Sequence, residues 1–389
     1  MSVFLLISLL TALVTFAGSL GVWKIAHRFK LYPGIRERDV HSRPTPRLGG
    51  VAMFLGFVVA IGAAWLASSQ LPMLGIIFRE PREILSIVTA VFLIVVLGVA
   101  DDIWDLDWLT KLAGQFLAAG LIAWQGVQIL SLPIGGITVG SSWMSTSLTV
   151  IAIVLVMNAV NFIDGLDGLV AGISLIANGV FFLYTYLMVQ KTSPTNYFNL
   201  ASLLAVIVVG MCLGFLPLNW HPAKLFMGDA GALLIGTVMA TSAIAVTGQL
   251  DPASLNLGDL FPAFMPIILP FAVLLVPLVD FALAVMRRLR AGKSPFSADR
   301  QHLHHRLLDM GHSHLGAVII FYAWTATASV SFALTFVLPA FFRIPAAWAA
   351  LVFVVGLVAC SVATIAPVTR QKRAAIAAEE RGEGELDGA

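Results

Sequence analysis

The sequence predicts an all-α polytopic membrane protein with about eleven transmembrane helices, the N-terminus outside, the C-terminus cytoplasmic and a small outer β-hairpin. Three observations predict it. Of 389 residues, 59% are hydrophobic and only 11% are charged, whereas a soluble domain carries about a quarter charged residues. Apolar runs recur at the length, about 20 residues, that a helix needs to cross a bilayer core of roughly 30 Å. The few cations lie almost entirely in alternate linkers, which sets orientation by the positive-inside rule.

The expected spans are 3–25, 49–67, 84–100, 109–125, 145–160, 168–189, 199–216, 230–248, 264–285, 315–339 and 346–367. The first has no basic region before it and no small-residue cleavage site after it, so it reads as a retained span and not a removed signal. Gly and Pro inside several spans are common in membrane helices. Linkers after odd-numbered spans, with the tail, hold 19 of the 23 Lys and Arg; segment 24–47 alone has seven and 286–314 six. The other linkers hold Arg79, Arg82, Lys191 and Arg343. Residues 127–139 alternate partly about Gly135-Gly136 and suggest the outer β-hairpin. Residues 1–367 read as one transmembrane catalytic domain, and 368–389 as a charged, disordered cytoplasmic tail. Cys212 and Cys360 sit in apolar runs and read as small buried hydrophobes. Net charge of +2 gives no reason to expect a nucleic-acid partner.

The polar clusters all fall on the inner face. Asp101, Asp102, Asp105 and Asp107 end the third span, and Lys111 opens the fourth. Carboxylates this close repel one another unless a cation is near; the cluster reads either as a cation or substrate site or as a solvated linker. Asn158, Asn161 and Asp164 recur on one helical face, followed by Gly165, Asp167 and Gly168. Amide and carboxylate oxygens are the ligands magnesium accepts beside substrate phosphates, and such groups are costly if they face lipid; a polar loop with turn residues is the alternative. Asp229, between Gly228 and Gly231, opens the eighth span. It reads as an N-cap or as part of a phosphate site at a helix N-terminus. The inner loop 286–314 carries Arg287, Arg288, Arg290, Lys293, Arg300, His302, His304, His305 and Arg306. With no Cys near, it suits a polyanion better than zinc. Thr45, among Asp39, His41, Ser42, Arg43 and Arg47, belongs to a similar stretch that reads equally as a membrane anchor.

Polar groups crowded at one interface suit an enzyme joining a water-soluble substrate to a lipid headgroup. A transporter would place them near mid-bilayer, and a catalytically silent scaffold needs none of them. The combination of Asp101-Asp102-x-x-Asp105, Asn158-x-x-Asn161-x-x-Asp164-Gly-x-Asp167-Gly-Leu169, Phe226-Met-Gly-Asp229-x-Gly231 and Ala298-Asp-Arg300-x-His302-Leu-His304-His305-Arg-Leu-Leu308 resembles the bacterial polyprenyl-phosphate N-acetylhexosamine-1-phosphate transferases. The agreement in order and spacing runs along residues 41–308. The interrupted histidine run is similar to enzymes that start O-antigen, enterobacterial common antigen or wall teichoic acid. The phospho-N-acetylmuramoyl-pentapeptide transferases, with three consecutive histidines, rank second.

The resemblance implies transfer of N-acetylglucosamine-1-phosphate from UDP-N-acetylglucosamine to undecaprenyl phosphate, releasing UMP, at the cytoplasmic face of a bacterial inner membrane. It implies Mg2+, with Mn2+ as substitute, and is compatible with a homodimer. By motif, Asp229 and Asn161 hold the metal, and Asp101 and Asp102 lie at the lipid-phosphate side. Lys111 contacts phosphate, Asp167 with Asp164 near it binds uridine, and Arg300, His302, His304 and His305 bind diphosphate and sugar. Thr45 and Asn158 belong to the same substrate-binding set, with Asp101, Asp102 and Asp229 as the catalytic carboxylates. A one-step displacement is expected, with a covalent aspartyl intermediate as the rival.

Overall fold

The computed structural model describes residues 1–30, 45–130, 141–192, 198–247, 286, 289, 290, 292 and 307–386. Among them the protein is a helical bundle. The helices are α1 (Ser2–Phe29), α2 (Gly49–Ala67), a short α3 (Pro72–Ile77), α4 (Pro81–Trp104), α5 (Trp108–Trp124), α6 (Ser142–Ile163), α7 (Leu169–Thr192), α8 (Phe198–Asn219), α9 (Gly228–Thr247), α10 (His314–Val337) and α11 (Ala347–Leu386), with a π-helical turn at Leu338–Phe342 after α10.

Ten of the expected spans coincide with helices, and the remaining one, 264–285, lies outside the described residues. Nine of the described helices are long and apolar enough to cross a membrane; α5, with 17 residues, is just short of that group. The protein is therefore a multi-pass membrane protein. No strand occurs among the described residues. The expected hairpin meets irregular backbone at 127–130, while 131–139 lies outside the described residues. Helix α11 continues past Pro367 to Leu386, through most of the stretch that composition assigned to a disordered tail.

In lipid there is little hydrophobic drive between helices, so close backbone approach at small residues holds a bundle together. That is how α1 meets α2 and α8: a Cβ on Gly56 would lie 2.1 Å from Thr15 Oγ1, and one on Gly214 2.2 Å from the Ala12 carbonyl oxygen. Leu5, Leu6, Leu9 and Leu13 meanwhile point outward from α1, where lipid solvates them. Helix α9 is the centre: 89% of its apolar window is buried, against 11% for the peripheral α11. It packs against α2, α4, α6 and α8.

One contact sets the site. A Cβ on Gly98 of α4 would lie 2.3 Å from Ala230 Cα of α9, so only glycine lets the two backbones close beside Asp101, Asp102 and Asp229. Gly98→Ala is expected to destabilise the protein by about 1–3 kcal/mol, the usual overpacking cost. Gly120→Ala, with nothing within 4 Å of the added atom, is expected to be neutral. Thermal unfolding of the two variants in the same detergent checks this.

Candidate active site

The end of α4, the start of α5, the end of α6 and the start of α9 meet at one end of the bundle. The polypeptide turns from α4 into α5 over Asp105–Asp107. Asp105 adopts a left-handed conformation (φ 53°) and closes α4, its N–H donating to the Asp101 carbonyl. Asp107 caps α5, accepting from the N–H groups of Leu109 and Thr110 at 3.0 Å each. The Thr110 hydroxyl and these N–H groups hold the Asp107 carboxyl below its ordinary range. These two carboxylates shape the turn and leave Asp101 and Asp102 to face inward.

Asp101 Oδ1 accepts from Leu106 N–H at 2.9 Å, which orients the carboxylate. Its Oδ2 lies 2.6 Å from Lys111 Nζ, and the same ammonium lies 2.7 Å from Asp229 Oδ2. A single cation thus joins carboxylates from α4 and α9, and three polar side chains far apart in sequence form one cluster. Lys111 and Asp229 keep 27% and 25% of their side chains exposed, against 5% for Asp101. The Lys111–Asp229 pair is therefore the accessible part of the cluster, with Asp101 behind it. Asn161 of α6 completes the cluster by hydrogen bonding to the Asp229 carboxylate.

Asp102 caps a helix other than its own. Its Oδ1 accepts from Asp229 N–H at 3.2 Å, at the positive end of α9 where a carboxylate is favoured. Asp229 is thus a first-turn residue, and the cap comes from α4. Asp102 Oδ2 is buried with no hydrogen-bond partner among the described residues. Beside it, Gly228 has φ +67°, and a Cβ there would meet Arg47 O at 2.2 Å and Asp102 Oδ2 at 2.3 Å. Both the conformation and the space demand glycine.

The stretch carrying Thr45 runs alongside this site. Phe226 N–H donates to Pro46 O, Gly49 N–H to Phe226 O and Gly50 N–H to Met227 O, at 2.8–2.9 Å. This main-chain strip places segment 45–50 against the approach to α9. Asn158 turns away: its Nδ2 donates to Gln115 Oε1 of α5 and to Val154 O. Asp164 ends α6 as its C-cap, its N–H donating to Asn161 O. Asp167 belongs to a second cluster nearby in the fold. Its carboxylate, 1% exposed, lies 2.7 Å from His221 Nδ1 and accepts from Ala223 N–H at 3.0 Å. Arg300, His302, His304 and His305 lie outside the described residues.

Sequence reading gave no role to Gln115, Asn219, His221, His314 or Tyr322. Their partners come from other elements, so spacing along the chain does not reveal them; Gln115, one turn after Lys111, and His221, two residues after Asn219 in the inner linker, carry the usable signals.

The donor set admits a divalent cation. Asp229 and Asn161 supply a carboxylate and an amide oxygen, and beside them Asp102 Oδ2 is a buried carboxylate oxygen with no hydrogen-bond partner among the described residues. Oxygen ligands of this kind suit Mg2+ or Mn2+.

The comparisons with known proteins agree with this architecture. Residues 84–247 match the model for glycosyl transferase family 4. The chain is 39% identical over 370 residues to decaprenyl-phosphate N-acetylglucosaminephosphotransferase of Mycolicibacterium smegmatis, covering 94% of this chain and 89% of that one. It is 31% identical over 271 residues to the undecaprenyl-phosphate alpha-N-acetylglucosaminyl 1-phosphate transferase of Thermotoga maritima, covering 69% and 70%. A phospho-N-acetylmuramoyl-pentapeptide-transferase of Halalkalibacterium halodurans is 32% identical over 252 residues, covering 60% and 71%. Such a site on a multi-pass helical bundle defines a membrane-embedded glycosyl transferase of family 4. The chain belongs, within it, to the polyprenyl-phosphate N-acetylglucosamine-1-phosphate transferases.

Proposed function

We propose that the protein transfers N-acetylglucosamine-1-phosphate from UDP-N-acetylglucosamine to a polyprenyl phosphate, undecaprenyl phosphate in particular, and releases UMP. The observation that carries this reading is the Lys111 ammonium shared by Asp101 and Asp229 beside the N-terminus of α9. Both reactants are phosphates, so neutralising charge is the main catalytic task.

The attacking group is an oxygen of the lipid phosphate, and the bond broken joins the β-phosphorus to the oxygen bridging to the α-phosphate. A phosphate monoester has its second pKa near about 6, so the nucleophile is already largely deprotonated at neutral pH. No strong general base is required. Lys111 has three donors and meets Asp101 and Asp229 with two of them, leaving one for a phosphate oxygen. Asp101, oriented by Leu106 N–H, holds Lys111 in place. Asp229, Asn161 and Asp102 would hold Mg2+, whose chemistry is to offset negative charge on the diphosphate. The Asp164–Gly168 turn is the seat for uridine, and Arg300, His302, His304 and His305 bind the diphosphate and sugar. The N-terminus of α9 and the basic loop face the cytoplasm in this reading.

Displacement in one step fits the carboxylates better than a covalent aspartyl intermediate. Asp101 has both oxygens engaged, Asp102 Oδ1 secures α9, and the remaining Asp102 Oδ2 is buried beneath Gly228. The test is direct: purified protein with UDP-N-acetylglucosamine and undecaprenyl phosphate should yield the lipid diphosphate sugar and UMP only with a divalent cation present. Labelled UMP should not exchange into the UDP-sugar without lipid; exchange would instead establish the two-step route. A protein that turns over no UDP-sugar from a panel overturns the reading.

A further inference from the structure

The turn between α6 and α7 is held from outside. Gly168 N–H donates to Asn219 Oδ1 at 3.0 Å, and Asn219 Nδ2 donates to Leu225 O at 3.0 Å. The Tyr322 hydroxyl of α10 donates to Gly168 O at 2.5 Å. Asp167 N–H donates to His314 Nε2 at 3.0 Å, which fixes the His314 proton on Nδ1. Asp167 Oδ2 accepts from Ala223 N–H and pairs with His221 Nδ1. The two imidazoles stack at 4.2 Å with an interplanar angle of 19°.

The three donor atoms of Asp167, His221 and His314 lie within 4.8 Å of one another, which invites a metal. The geometry argues against it. His314 Nε2 is already an acceptor for a backbone N–H, and near-parallel stacked rings cannot both aim in-plane lone pairs at one ion between them. The cluster is a hydrogen-bonded clamp in which Asp167 is sealed, His314 is 13% exposed and His221 is 43% exposed.

The clamp has a mechanical meaning because of what the same segment does next. Residues 219–223 bind the turn, and a few residues on, Phe226 and Met227 join the main-chain strip while Asp229 meets Lys111. One short connection is therefore fastened at one end to the Asp164–Gly168 turn and at the other to the charged cluster. It sets the spacing between them. A nucleotide-sugar must span both, with its base at one and its diphosphate at the other, whereas the lipid phosphate needs only the second.

We propose that His221 and His314 are positioning residues for the nucleotide-sugar, acting through Asp167 to keep the turn in register with Asp229. This rests on the reading of the turn as the uridine seat. Neither histidine touches the reacting atoms, so their loss should fall on donor binding and leave the chemical step alone.

The test uses full-length protein in detergent or nanodiscs. His221→Leu and His314→Leu are expected to raise KM for UDP-N-acetylglucosamine by about tenfold, the effect of one lost interaction near 1.4 kcal/mol, with kcat and acceptor KM within about twofold. His221→Asn puts an amide N–H where Nδ1–H stood, and His314→Gln puts an amide oxygen where Nε2 stood; both should return donor KM towards that of the parent. Should a leucine variant fail to accumulate, His221→Ala or His314→Ala removes the same hydrogen bond with a smaller side chain and carries the same expectation. Unchanged donor KM in the variants, an equal loss for both substrates, or Asn and Gln variants no better than Leu would each overturn the proposal. Calorimetric titration of the parent with UMP reads the seat alone: absence of binding removes the uridine reading itself, whereas binding of equal strength in parent and leucine variants removes only the role of the histidines.

Discussion

Asp229→Asn should lower transfer by about a thousandfold, at the upper end of what removing one charge-stabilising group costs an enzyme. The substitution keeps the size of the side chain and leaves the backbone N–H that donates to Asp102, so α9 should start where it does now. What is lost is the carboxylate that holds Lys111 and Asn161. Two measurements separate this from misfolding. The variant should unfold within a few degrees of the parent, and its affinity for Mn2+ alone should fall. A variant with parental turnover would remove Asp229 from the catalytic cluster.

Lys111→Met should be the more damaging change to the fold. It leaves Asp101 and Asp229 facing each other without the cation they share. Removing one partner of a buried ion pair costs about 3–5 kcal/mol; with 27% of Lys111 exposed, the lower end applies. Turnover should fall by at least about a hundredfold, since the remaining donor for phosphate goes with the ammonium. Divalent cation should raise the unfolding temperature of this variant more than that of the parent, because it can restore the missing charge. Adding Asp101→Asn should recover stability without recovering activity. If the single variant is as stable as the parent, the bridge contributes nothing to the fold.

Much of this was legible in the sequence, for physical reasons that differ from residue to residue. Bilayer-spanning runs announce themselves because lipid admits so few polar groups, and for the same reason Asp101, Asp102, Asn161 and Asp229 stood out where they interrupt or end such runs. That Lys111 belongs with them followed from charge, and the structure puts it between Asp101 and Asp229. The direction of side chains was harder to read. Asn158 shares a helical spacing with Asn161, yet it bonds Gln115 on α5; spacing tells which face a residue lies on but not which neighbour packs there. The resemblance makes Asp167 part of the uridine site, but nothing in the local pattern tells that its carboxylate meets His221 and Ala223. His314 could not be found by pattern at all, because its bond to Asp167 joins positions 147 residues apart. The α4–α9 approach at Gly98 was hidden likewise: a glycine inside an apolar helix looks the same whether it faces a backbone or a lipid tail.

The main-chain strip that joins 46–50 to 226–227 is held without help from side chains. Amides and carbonyls, which every residue except proline supplies in full, carry the attachment. A substitution at Phe226 or Met227 therefore leaves these backbone bonds available. The join between the two segments is thereby written into the polymer itself and not into the letters of the code at those positions.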